Sequence, residues 1–211
     1  IAVPEGVGAL QAQFEALKQR LEEEGLFEPS RKRPLPEFPQ VIGMVTSPTG
    51  AVLHDICHVL ERRYPIVKVL VAPTPVQGDE AADGIVGALE ALNRRDDVDT
   101  IILARGGGSL EELWPFNEES VARAIYASRI PVVSGVGHET NFTIADYVAD
   151  VRAPTPSAAA EIAVPDATVL REQVVSQGEY LRQLLSGLVT DLRYSLKASE
   201  QRLWFLAPNI E

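Results

Sequence analysis

Four short runs, Val41–Thr46, Ile66–Ala72, Thr100–Ala104 and Pro131–Val136, are rich in valine and isoleucine and lack the in-out alternation of a half-exposed strand. Between them, Ala51–Arg63, Glu80–Arg94 and Glu118–Ser128 carry helical patterns. Strands buried on both faces need a covering layer on each side, and the intervening helices can supply it. The pattern therefore predicts an α/β fold: a mostly parallel, Rossmann-like sheet flanked by helices. In such sheets ligands bind beyond the carboxyl ends of the strands, so the loops that directly follow strands are where chemistry is expected.

The flanks read differently. Leu10, Phe14, Leu17 and Leu21 recur at helical spacing, with Gly25 as a stop, which predicts a leading helix. Pro29, Pro34, Pro36 and Pro39 surround Arg31, Lys32 and Arg33, a composition that predicts an extended, solvated basic linker. After Pro165, Leu170, Val174, Leu181, Leu184, Leu188, Leu192 and Leu196 form a stripe near 3.5-residue spacing with no internal proline. This predicts one helix of about 60 Å, too long to pack wholly on one small sheet and read as a coiled-coil-like helical arm. The expected organisation is thus a leading helix and linker over residues 1–40, an α/β core over 41–165 and the start of the arm over 166–211. A chain that begins at Ile1 and stops at Glu211 reads as an excerpt of a longer polypeptide.

Composition narrows the function classes. A net charge of −11 argues against a protein whose whole face grips nucleic acid or anionic lipid. Residues 29–75 are the exception, with six lysines and arginines against three carboxylates. The single Cys57 rules out an internal disulfide, and neither a membrane-span-length apolar run nor a signal peptide is present, so the expected location is the cytoplasm.

Chemistry concentrates in three post-strand loops. After the first strand, Ser47 is placed as an N-cap and Pro48 as the first helical residue of Thr46-Ser47-Pro48-Thr49-Gly50, which outlines an anion site at a helix start. In the helix that follows, His54 and His58 stand at i and i+4, but Asp55 replaces the glutamate of the zinc-protease pattern and no third ligand is near, so zinc is excluded. Asp55, His58 and Arg62 share one stripe, which leaves Asp55 either paired with Arg62 in solvent or facing the site. After the third strand, Arg105 precedes Gly106, Gly107 and Gly108, with Ser109 placed to cap a helix. Three glycines let the main chain approach a ligand or adopt positive φ, and a guanidinium beside them suits a phosphate cradle. After the fourth strand, Gly135 and Gly137 flank the approach to His138, the best-placed general acid or base. No Gly-x-Ser-x-Gly elbow exists and Cys57 lies mid-helix, so acyl transfer is unsupported and phosphodiester hydrolysis fits better.

Taken in order, Ser47-Pro48-Thr49-Gly50 with Asp55, Arg105-Gly106-Gly107-Gly108-Ser109-Leu110-Glu111-Glu112-Leu113-Trp114, Val136-Gly137-His138-Glu139-Thr140 and Val151-Arg152-Ala153-Pro154-Thr155-Pro156-Ser157-Ala158-Ala159-Ala160-Glu161 resemble the exodeoxyribonuclease VII large-subunit family. The resemblance covers about Val41 to Glu161. It implies a nuclease that digests single-stranded DNA to oligonucleotides, a small helical partner subunit on the C-terminal arm, and an N-terminal OB-fold outside these residues. It also implies catalytic roles at Asp55, Arg105, His138 and position 141, and substrate contacts from Ser47, Thr49, Gly106 to Ser109, and Arg152. The family has aspartate where this chain has Asn141. Asparagine keeps the shape but loses the charge, so the substitution predicts impaired catalysis; with Asp55 as the remaining carboxylate, magnesium is expected to bind weakly at best.

Two other readings use the same residues. A non-catalytic nucleotide or sugar-phosphate binding module would use the glycine loop as a sensor, and an assembly scaffold would use the terminal helices.

Overall fold

The structure is a computed structural model that describes residues 5–109, 111–137 and 142–206. Its elements run α1 (Glu5–Glu23), β1 (Val41–Thr46), α2 (Ala51–Arg63), β2 (Lys68–Pro73), α3 (Ala81–Asn93), β3 (Thr100–Arg105), α4 (Glu119–Ala127), β4 (Val132–Val136), α5 (Ile144–Val148), β5 (Val151–Arg152), α6 (Pro156–Ala163) and α7 (Ala167–Leu206). Short 3-10 turns lie at Pro29–Arg31 and Trp114–Asn117.

All five strands are parallel, in the order β2-β1-β3-β4-β5. The chain steps from β1 outward to β2, then crosses back past β1 to β3 and continues in that direction. Right-handed crossovers therefore put α2 on one face and α3, α4 and α5 on the other. The packing agrees: α3 lies against α4 and α4 against α5, while α6 returns to cover β3 and β4 beside α2. Every residue of β3 and β4 is buried, which is why neither strand alternates. Gly135 lets α6 come close, since a Cβ there would sit 2.8 Å from Ala159 Cβ and 3.2 Å from Pro156 Cα.

Two expectations are corrected and one strand is added. β2 is an edge strand with exposed ends rather than one buried on both faces, and Ile66 stands outside it, 74% exposed. With one paired neighbour it has less to pack against than β1 or β3. β5 pairs through only Val151 and Arg152, too short to leave a periodic signal. The proline-rich linker is pinned rather than solvated. Lys32 donates from Nζ to the carbonyls of Tyr147 and Ala149, and Arg33 reaches Asp150 through its backbone N–H at 2.7 Å and Nε at 2.9 Å. Burial lowers the Lys32 pKa, with Asp150 opposing that effect.

The leading helix closes on Gly25 at φ 79°, where Gly25 N–H donates to Glu22 O and Leu26 N–H to Leu21 O. This is the double hydrogen bond of a Schellman ending. Phe14, Leu21 and Leu26 join the same buried cluster as Val121, Ile125 and Ile144, so α1 is part of the core.

Two compact units result, one ending at Asp166 and one beginning at Ala167. The second is α7, 40 residues long, with no buried side chain among those described. No helix among the described residues is long and apolar enough to cross a membrane.

Candidate active site

Because β1 connects outward to β2 while β3 lies on its other side, the loops leaving β1 and β3 diverge and open a crevice at the carboxyl end of the sheet. Both loops flank it at close quarters: a Cβ on Gly106 would stand 3.5 Å from Val52 Cγ2 in the first turn of α2. On the β1 side the Ser47 and Thr49 hydroxyls lie 3.3 Å apart and Gly50 N–H donates to Ser47 O. That turn delays the helix, which starts at Ala51 with Gly50 as N-cap instead of at Pro48 with Ser47 as cap. The first amides of α2 consequently have no side-chain cap. Asp55 is exposed one turn further along, three residues from Val52. It does not hold Arg62, whose nearest carboxylate is Glu161 at 3.9 Å. Burial, reinforced by Glu61, pushes the Cys57 thiol up, as expected of a cysteine with no nucleophilic role.

Arg105 ends β3 with its side chain 8% exposed. One guanidinium nitrogen donates to the Glu112 carbonyl; Nη2 donates to Gln77 Oε1 at 3.2 Å and lies 3.5 Å from Glu112 Oε2. Glu112 Oε2 also accepts from the Ser109 backbone N–H at 2.9 Å, and Ser109 Oγ accepts from Glu112 N–H at 3.3 Å. This is a capping box, but it closes a single turn that runs into the Trp114–Asn117 3-10 turn rather than a longer helix. An exposed carboxylate thus rests between a buried guanidinium and a backbone amide, the position a phosphate oxygen would take in a cradle. Gly108 makes room for it: a Cβ there would come within 2.3 Å of Glu112 Oε2 and 3.0 Å of Arg105 Nη2. Positive φ falls on Gly25, Gly78 and Gly137, not on Gly106 or Gly108.

β4 leaves through Gly137, at φ 79°, whose N–H donates to Arg105 O at 3.2 Å, tying the third and fourth loops together. His138 and Asn141 lie outside the described residues. The chain re-enters at Phe142 and is anchored at once. Thr143 and Asp146 form a reciprocal capping box, Ser134 Oγ donates to Asp146 Oδ1 at 2.7 Å, and Ile144 N–H donates to Asn117 Oδ1 at 2.9 Å. Burial raises the Asp146 pKa against the Ser134 and Thr143 hydrogen bonds and the charge of Arg152. Arg152 lies on β5 opposite Ser134, its guanidinium 3.7 Å from the centre of the Phe142 ring.

Matching a profile described as exonuclease VII, large subunit, the sequence aligns over residues 26–210. The chain belongs to that family. The exodeoxyribonuclease 7 large subunits of Thermoanaerobacter pseudethanolicus, Geobacillus kaustophilus and Halothermothrix orenii are 54%, 53% and 55% identical to it. These alignments cover 97%, 94% and 95% of this chain and 51%, 47% and 48% of the relatives, so the chain spans about half their length. The structure brings Arg105, Gly108 and Ser109 together around Glu112 and sets Gly106 against Val52 in the first turn of α2, while Asp55 stands on the exposed side of that helix. Among the described residues no three His, Cys, Asp or Glu side chains converge as metal ligands.

Four residues of the site went unread in the sequence. Glu112 and Asp146 had a usable signal, since Ser109-x-x-Glu112 and Thr143-x-x-Asp146 both have capping-box spacing. Gln77 and Asn117 had none, because each reaches its partner only through the sheet order.

Proposed function

We propose that this chain is the catalytic core, residues 41–165, of a cytoplasmic exodeoxyribonuclease that hydrolyses phosphodiester bonds of single-stranded DNA. The observation that carries the reading is the buried Arg105 guanidinium at the carboxyl end of β3, facing a carboxylate that occupies an oxyanion position beside the Ser109 amide. In the reaction the scissile phosphate takes the place of the Glu112 carboxylate. Arg105 and the Ser109 N–H then stabilise charge gathering on its oxygens while water adds and the P–O bond to the leaving oxygen breaks. His138 moves the proton and Asp55 orients His138 or the water. Ser47 and Thr49 line the β1 side of the crevice and Arg152 supports the β4 side. A small helical subunit docks along α7, a reading supported by its exposed Leu181, Leu184, Leu188, Leu192 and Leu196.

Asn141 lowers activity by removing a carboxylate. The test is digestion of end-labelled single-stranded and duplex DNA by the full-length protein with its partner subunit, with magnesium and with chelator. Asn141→Asp is expected to raise cleavage of single strands; an Asn141→Asp protein inert on them under both conditions overturns the assignment. The Asn141 substitution also favours a second reading, a nucleotide-binding module without catalysis. Under it, mononucleotides raise the melting temperature strongly and Asn141→Asp creates no cleavage.

A further inference from the structure

A cavity of about 370 Å³ lies between α1 and the glycine loop, with Gly108 and Ser109 among its lining residues. Its volume lies in the roughly 300–1,000 Å³ range of small-molecule sites. Phe14 and Leu113 line it from the core side, and Phe142 and Tyr147 form one wall. Their ring centres are 5.7 Å apart with planes at 30°, and Phe27 continues the series 5.3 Å beyond Tyr147. Two cations border this aromatic series: Arg152 over Phe142, and Lys18 from α1 with Nζ 4.8 Å from the centre of the Tyr147 ring. Opposite the wall, the Gln11 amide donates to the Glu15 carboxylate at 3.2 Å, giving α1 a polar, exposed rim. Phe142 is 45% exposed, although the segment that follows it is tightly anchored by Thr143 and Asp146.

We propose that this cavity receives one nucleobase of the strand whose adjoining phosphate occupies the Arg105–Ser109 cradle. The inference rests on the reading of that cradle as the scissile-phosphate site. A flat ring with a polar edge matches an aromatic wall opposed by amide, carboxylate and ammonium groups. Such stacking tolerates any base, because every base has a π-face. Lys18 now covers part of the ring that the base would use. Displaced, its flexible stem swings the ammonium toward the strand's backbone. The pocket also supplies a test of strandedness at the chemical step, because only an unpaired, unstacked base can enter it. A duplex would have to lose a pair and its stacking first, at the cost met by enzymes that extrude bases.

The experiment uses the full-length protein with its partner subunit and short single strands carrying 2-aminopurine at successive positions, with binding followed by anisotropy. Quenching is expected at one position, next to the phosphate at which the strand is cleaved. Phe142→Leu, which keeps an apolar side chain at a half-exposed site, is expected to relieve that quenching and weaken strand binding about tenfold, the scale of one lost base stack. A single abasic residue at the quenched position is expected to weaken wild-type binding equally and to add nothing in Phe142→Leu. Strands that bind with no quenching relieved by Phe142→Leu, or abasic and Phe142→Leu losses that multiply, overturn the pocket. Strand binding and cleavage unchanged by Arg105→Ala overturn the cradle reading instead, whatever the base analogue reports.

Discussion

Where the strands begin, carboxylates lock the sheet. Asp99 accepts from the backbone N–H groups of Gln40 and Val41 at 2.7 and 2.9 Å. Asp150, with its side chain 1% exposed, accepts from those of Arg33 and Val132 at 2.7 Å each and pairs with the Arg33 guanidinium. Where the strands end, the buried cation is Arg105, held by a carbonyl, an exposed glutamine and an exposed glutamate. The first end ties its backbone donors to carboxylates fixed in the sheet, the half-buried Asp99 and the Asp150 side chain at 1% exposure. The second holds its donors with groups that can leave when an anion arrives. Rigidity at one end keeps the geometry that exchange at the other end needs.

The largest effect expected from this contrast is Asp150→Ala. It leaves the Arg33 backbone N–H and Nε and the Val132 N–H without their acceptor, with only Arg33 Nη2 still held by the Ile125 carbonyl, and should cost about 3 kcal/mol of stability in denaturant unfolding, as for other broken buried pairs. Arg105→Ala should lower the cleavage rate by about 10² to 10³, the scale of a lost oxyanion donor, with far less loss of stability than Asp150→Ala. Equal losses of stability in the two variants would erase the distinction between the ends. Asp146→Ala strands the Ser134 and Thr143 donors and should cost about 1–3 kcal/mol.

Asp146 also sets a pH dependence. Burial holds its carboxyl above the ordinary 3.8, so the folded state binds that proton more tightly than the unfolded chain does. Its contribution to stability therefore falls as pH rises from 3.8 through the raised value, and melting curves of Asp146→Asn over that window should lose this slope. The smallest expected effect is Glu112→Gln. It removes a partly exposed competing charge from the cradle and should tighten single-strand binding about two- to fivefold by anisotropy; weaker binding would show that Glu112 positions Arg105 and does not merely hold its place.

What could be read in advance follows from what is local. β1, β3 and β4 were legible to within a residue because continuous Val and Ile runs between glycine and proline punctuation record burial on both faces. Arg105 and the glycine loop were legible because a strand end and its loop are contiguous. The linker's role was not: Lys32 and Arg33 find their partners more than a hundred residues away, at an end of the sheet that exists only once β4 and β5 are paired. Gln77 joined the site for a similar reason, since nothing in Pro75-Val76-Gln77-Gly78 says that the β2 loop will stand beside Arg105. The aromatic series Phe27, Tyr147 and Phe142 is likewise assembled from α1's exit and α5, far apart in the chain.

The 40-residue α7 buries none of its described side chains, and Gly178 and Gly187 interrupt it with no neighbour within 4 Å of where a Cβ would be. Each glycine costs such a helix about 1 kcal/mol relative to alanine. Its backbone hydrogen bonds therefore open by local fraying, whereas those of β3 open only when the sheet does. In deuterated water α7 exchanges its amides long before the core, and any protein that settles on its leucines registers as slowed exchange over the turns it covers. The helix is thus a clock for its own occupancy.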